Sequence, residues 1–290
     1  MMNAKLTLDV EVNRVLYPPP ATEGEFFVLL TDRTKCSGKM KWRPEKGERL
    51  RLEGEWTSYR GERNFKFSSA IPNVPVDPRD QLRYACDRAV GFGPVLEQLI
   101  WSAYADNWRA AEVGSVKGFT AVKSLALQEA VSAVDLEADK SQAIGWLMGK
   151  GATVNMATSA YEEWKKETIG VAQANPFRLA DLPNYSFVDV DGSIREAFGI
   201  GMNDRRRIRA AIVYKLKKLT SGGSTVIDWN TLSFAVCELV GADLVKMVSD
   251  ETAEMFEDKS LVGFSGSQSI SLKDDYWAEI NIWKFIKGHV

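Results

Sequence analysis

The sequence predicts a mainly helical α+β protein. An OB-like β-barrel opens the chain, tandem helix-hairpin-helix repeats follow, and a winged-helix-like unit closes it. Three observations predict this. Residues 5–70 alternate apolar and polar with a period of two, a proline-rich stretch comes next, and the short helical patterns beyond it are separated by glycines. The 290 residues, 45% hydrophobic and 26% charged, suit a globular chain with sizeable cores and not a disordered one.

In the barrel, Leu6, Leu8, Val10 and Val12 alternate with Lys5, Thr7, Asp9 and Glu11, which gives a strand one apolar face. Residues 25–31 form a second run and 48–56 a third, with Leu50 and Leu52 set between Arg49, Arg51 and Glu53. Residues 64–70 form a fourth, with Phe65 and Phe67 on one face. Gly47, Gly54 and Gly61 supply sharp bends, so 1–76 reads as a five-stranded barrel or a small sandwich. Pro72, Pro75 and Pro78 make a stiff linker that cannot continue a sheet.

Tandem helix-hairpin-helix units are expected over 77–135, and a second unit of that kind over 136–202. In the first hairpin, Gly91-Phe92-Gly93 lies between two short helices, with Pro94 at the first position of the second helix. The next turn runs from Gly114 to Phe119 and contains Lys117 and Gly118; Gly149-Lys150-Gly151 makes another. Glycine lets such a backbone come close to a phosphate, which the amides and positive end of the following helix hold without reading sequence. Residues 203–290 read as winged-helix-like: a basic helix to about Leu219, a second helical stretch from about Thr231, then a hairpin around Ser265-Gly266. Asp274 to Lys287 adds a last helix with Trp277, Ile280 and Trp283 at helical spacing.

A net charge of −2 does not advertise nucleic-acid binding, so any such binding depends on local patches. Residues 33–51 hold Arg33, Lys35, Lys39, Lys41, Arg43, Lys46, Arg49 and Arg51 around Trp42, against Glu45 and Glu48. Cations interleaved with aromatics suit a single-strand groove, although Trp56, Phe65 and Phe67 also suit a core. A further patch gathers Arg205, Arg206, Arg207, Arg209, Lys215, Lys217 and Lys218, opposed only by Asp204.

Catalytic chemistry is not expected. The single histidine, His289, sits at a terminus, where a base is poorly placed. Cys36, Cys86 and Cys237 are far apart and read as small buried hydrophobes, with no zinc or disulfide spacing. Residues 145–151 miss the phosphate-loop spacing, and Lys150 precedes glycine where Ser or Thr is needed. Asp189 with Asp191 and Asp274 with Asp275 read as caps before metal ligands. Neither a metal nor a cofactor is therefore expected. With no leader-like segment and no apolar run of membrane-spanning length, the reading is cytoplasmic.

The order of parts resembles the pre-motor region of RecD-like DNA helicases, the superfamily 1B type that works without RecB and RecC. The likeness is carried by Gly47-Glu48, Gly54-Glu55-Trp56 and Tyr59-Arg60-Gly61 in the barrel, and by Gly91-Phe92-Gly93 and Lys117-Gly118-Phe119 at the hairpins. It continues through Ala174-Asn175-Pro176-Phe177 with Leu179, Phe187 and Asp191, then Arg207-Ile208-Arg209-Ala210 with Tyr214 and Leu216, then Tyr276-Trp277-Ala278-Glu279. It implies a non-catalytic module that binds the backbone of single-stranded or junction DNA and serves a motor located elsewhere. The expected contacts are Gly91, Phe92, Gly93, Lys117, Gly118, Lys39, Lys41, Trp42, Arg43, Lys150, Arg205 and Arg206. The rival reading is an adaptor that docks on a helicase, replication or defence complex without touching DNA. A carboxylate enzyme built on Asp189 is a third.

Overall fold

The computed structural model describes residues 6–20, 22, 24–59, 61–264 and 267–287, without the side chains of Tyr59 and Ser193. Ser265, Gly266, Arg60 and His289 lie outside the described residues. The chain divides into two compact units, Met1–Ile169 and Gly170–Val290.

The first unit begins with β1 (Leu6–Tyr17), β2 (Phe26–Thr31), β3 (Lys35–Lys39), β4 (Arg49–Tyr59) and β5 (Glu62–Pro72). They close into a barrel in the order β1-β2-β3-β5-β4, with β3 and β5 parallel and the other neighbours antiparallel. That order is the OB topology and excludes the sandwich. Alternation predicts which side chains fill the interior: Val10, Val12, Leu50, Leu52, Phe65 and Phe67 are buried with Phe27, Leu29 and Cys36. Closure needs two strands to pass very close. A β-carbon built on Gly54 would overlap the Lys66 carbonyl, and one on Gly38 the Phe67 carbonyl.

β5 runs to Pro72, paired there with Leu50, so only residues 73–77 separate sheet from helix. α1 (Pro78–Arg88) and α2 (Pro94–Tyr104) are followed by a 3-10 segment, Ala105–Ala110, and then by α3 (Ala121–Gly149) and α4 (Val154–Trp164). Leu82, Tyr84, Ile100, Trp108, Phe119, Leu127 and Val134 make one core beneath them. The expected limit between residues 135 and 136 falls inside α3, which is unbroken because no glycine or proline interrupts it before Gly145. A half-buried polar network ties barrel to helices. The Tyr84 hydroxyl accepts from the Arg49 amide (3.0 Å) and donates to Glu137 (2.7 Å), while Arg88 pairs with both Glu137 and Glu45.

The second unit holds α5 (Thr168–Ala174), which begins at its border, a 3-10 segment Pro176–Asp181, α6 (Phe187–Asp191) and α7 (Ser193–Ala197). Next come α8 (Arg205–Thr220), β6 (Ile227–Asp228), α9 (Trp229–Val240), α10 (Val245–Glu257), β7 (Leu261–Gly263), β8 (Ser269–Leu272) and α11 (Lys273–Lys287). The sheet order is β6-β8-β7, antiparallel throughout. Helix, strand, two helices and a two-stranded wing give the order of a winged helix. The expected pair of helices is in fact three, because Gly241 (φ 124°) divides the stretch after Thr231 into α9 and α10. No helix among the described residues is long and apolar enough to cross a membrane.

Candidate nucleic-acid interface

The two expected hairpins lie side by side in the first unit. Gly91 (φ 82°) turns the chain out of α1, and Gly93 precedes α2 with Pro94 at its first position. In the second turn Gly114 (φ 80°) and Gly118 (φ 87°) are left-handed, and Thr120 precedes α3. Positive φ at these sites favours glycine, since a β-carbon there meets the following carbonyl. The rings of Phe92 and Phe119 pack edge-on, 6.3 Å apart, which couples one turn to the other.

Capping divides the helix starts into two groups, and α2 and α3 fall with α7 and α10 among those without a side-chain cap. Asp77, Thr153, Asp204 and Asp228 cap α1, α4, α8 and α9 with side-chain oxygens. No side chain caps α2 or α3. A helix start without an acceptor keeps its outward amides for an anion. Lys117 is exposed, Lys123 passes beside Gly91, and neither makes an ion pair among the described residues. Sequence reasoning did not single out Lys123, because its place beside Gly91 comes from packing between α3 and the first hairpin. Val90, Val95 and Val122 are also exposed around the turns.

The turn after α3 has the same form. Gly151 is left-handed (φ 88°), and the amides of Lys150 and Ala152 return to the Leu147 carbonyl. Thr153 caps α4 through the Met156 amide (3.2 Å), and Lys150 is half-buried. A further turn, residues 182–186, escaped the sequence reading because it lacks glycine. Asn184 adopts φ 69° in its place, and asparagine is one of the few side chains that tolerates this. Ser186 and Asp189 then form a capping box, with the Asp189 carboxylate accepting from both the amide and the hydroxyl of Ser186 (2.7 Å each). Asp191 holds Arg207, so both members of the candidate carboxylate pair have structural partners. Among the described residues no cluster of His, Cys, Asp or Glu is able to hold a metal.

The structure disperses the expected barrel contacts. Lys41 pairs with Glu25, and Arg43 donates to the Pro18 carbonyl at 2.9 Å. Trp42 donates from Nε1 to Glu48 (2.9 Å), while the Lys140 ammonium stands 3.5 Å from its ring centroid and pairs with Glu162 (2.5 Å). The indole is thus engaged inside the fold. Burial, and then the Glu137 carboxylate, push the buried Glu48 carboxyl up to about 7. Of these four residues Lys39 and Arg43 are exposed without an ion pair among the described residues, but Arg43 is tied to the Pro18 carbonyl, whereas Lys39 stands opposite Phe26 in the sheet register.

The arginines of the basic helix α8 are paired within their own unit, while Lys215 and Lys218 make no ion pair among the described residues. Arg205 pairs with Glu251 and Glu254, and Arg209 with Glu251 and Asp258. Arg206 holds Asp204 and the Ala174 carbonyl, and its hydrogen bonds keep the Asp204 carboxyl below the usual range. Arg207 is buried on Asp191. The helix that a winged fold would offer to DNA, α10, carries Asp250, Glu254 and Glu257 with Lys246 as its one cation.

Residues 137–226 match a family model described as the ATP-dependent RecD2 DNA helicase HHH domain. No helicase motor domain is matched. No curated protein matches the chain. The matched stretch begins within α3 and takes in the turns at Gly151 and Asn184 and the whole of α8. Over residues 137–226 the chain is similar to the helix-hairpin-helix domain of RecD2 helicases, and it resembles the N-terminal region of those enzymes.

Proposed function

We propose that this chain is a non-catalytic, cytoplasmic DNA-binding module that holds the phosphate backbone of single-stranded or junction DNA for a helicase motor located elsewhere. The paired hairpins at Gly91 and Gly118 carry the reading. Both lead into helices without side-chain caps, and Lys117 and Lys123 stand there without ion pairs among the described residues. Backbone amides, helix starts and two lysines suit phosphates and are indifferent to base identity. Fluorescence anisotropy with a labelled forked oligonucleotide tests this. The expected result is salt-sensitive binding that falls about tenfold or more in Lys117→Glu/Lys123→Glu. Absence of salt-sensitive binding to any DNA at low ionic strength overturns it.

A second reading, a protein adaptor, is favoured by Val90, Val95 and Val122, which give the hairpins an apolar exposed rim. If neither the parent nor the double variant binds the fork, that reading replaces the first; if both bind it equally, the hairpins are not the contact.

A further inference from the structure

β2 departs from the pattern of a solvated barrel strand. Phe27 and Leu29 point inward, yet the intervening outward residues Phe26, Val28 and Leu30 are also apolar, and Phe26 is 44% exposed. The outward residues of the neighbouring strand are polar: Lys39 stands opposite Phe26, Ser37 opposite Val28 and Lys35 opposite Leu30. The register continues across the barrel, placing Asn64 beside Lys35 and Lys66 beside Ser37. On the other flank, Arg14 pairs with Leu30. Leu16, Phe26 and Val28 make the apolar floor of an open groove of about 640 Å³ that is also lined by Lys35, Ser37, Glu62, Asn64 and Lys66, and the strand register sets Lys39 and Arg14 next to it without lining it.

The charge around this apolar floor is positive. Arg14, Lys39 and Lys66 make no ion pair among the described residues. Glu62, the carboxylate lining the groove, is matched by Lys35. Glu55, opposite Lys66 on β4, makes no ion pair with it. A neutral sugar or an apolar peptide has no use for three free cations; a polyanion with flat apolar faces does.

We propose that this face, β2 with its neighbours on β1, β3 and β5, is a binding groove for single-stranded DNA. It is distinct from the hairpins and rests on the DNA-binding reading above. Bases lie on Phe26, Val28 and Leu16, which suits stacking because every base has an apolar face, and phosphates meet Lys39, Lys66 and Arg14. A duplex hides its base faces, so the floor has nothing to offer it. The hairpins hold backbone of any form, and the groove adds the preference for an unpaired strand.

The experiment compares the full chain with Phe26→Ala, Lys66→Glu and Lys117→Glu/Lys123→Glu, using a labelled 15-residue oligo-dT and a blunt 20-base-pair duplex. Each groove variant is expected to weaken oligo-dT binding about fivefold or more and to leave the duplex within twofold. The hairpin variant weakens the duplex. Lys66 is exposed on its strand, so Lys66→Glu tests the groove even if Phe26→Ala perturbs folding by circular dichroism. Parent binding to the duplex with groove variants unchanged on oligo-dT overturns the groove and leaves the hairpin reading standing. Loss with Phe26→Ala but not Lys66→Glu also overturns it, because the floor would then serve an uncharged partner. Binding of neither oligonucleotide by the parent overturns both readings.

Discussion

Arg207 shows what a run of arginines conceals. Its guanidinium is buried, doubly bonded to Asp191, and donates to the Met202 and Val240 carbonyls. Arg207→Ala strands a carboxylate and two carbonyls and should cost roughly 3–5 kcal/mol in urea denaturation. Arg178→Ala, at the exposed pair with Asp181, should cost about 1 kcal/mol or less; equal losses would refute this ranking. Glu48 supplies a pH dependence. Its folded value of about 7 lies above the ordinary 4.5, so between these values the folded protein holds a proton that the unfolded chain releases. Stability therefore rises as pH falls through 7, by up to about 3 kcal/mol below 4.5. Glu48→Gln should flatten the melting temperature between pH 5 and 8 relative to the parent; an unchanged slope counts against it. Neither residue was legible in the sequence. Arg207 looked like its neighbours, and Trp42 looked free, because their partners Asp191, Glu48 and Lys140 are fixed by tertiary packing.

Among the elements, alternation made β1, β4 and β5 legible, and β2 was legible as a continuous apolar run. β3 was not, since Lys35-Cys36-Ser37-Gly38-Lys39 buries only a thiol and a glycine and reads as a charged stretch. The hairpins were legible through Gly91, Gly118 and Gly151, whereas the turn at Asn184 had no such mark. Two glycines predict different losses. Gly54→Ala drives a methyl into the Lys66 backbone and should cost more than about 3 kcal/mol, with barrel signal lost in far-ultraviolet circular dichroism. Gly118→Ala meets nothing within 4 Å, so only its left-handed backbone is strained, and about 1–2 kcal/mol is expected. Comparable losses at the two sites would show that close strand approach does not limit closure.

For the molecule as a whole, a net charge of −2 confines any affinity for DNA to its patches. Lys117 and Lys123 at the hairpins, with Arg14, Lys39 and Lys66 at the groove, give about five phosphate contacts, so affinity should fall roughly a hundred- to five-hundredfold from 50 to 200 mM salt. A slope near zero would assign the surface to a protein partner. The order of barrel, hairpins and winged helix was legible from composition shifts. The acidic character of α10 is also plain in its residues, but its place as the exposed third helix of a winged fold was not. Nor was the length of α3, whose 29 residues span about 43 Å at 1.5 Å per residue. One hairpin stands at its beginning and another at its end. A rigid rod of that length works as a ruler: a duplex touching both turns must present backbone at points more than one helical repeat of ~35 Å apart. Oligonucleotides shorter than that repeat can satisfy only one turn at a time, so a step in affinity with length, near a dozen or so base pairs (~3.4 Å each), is built into a single helix.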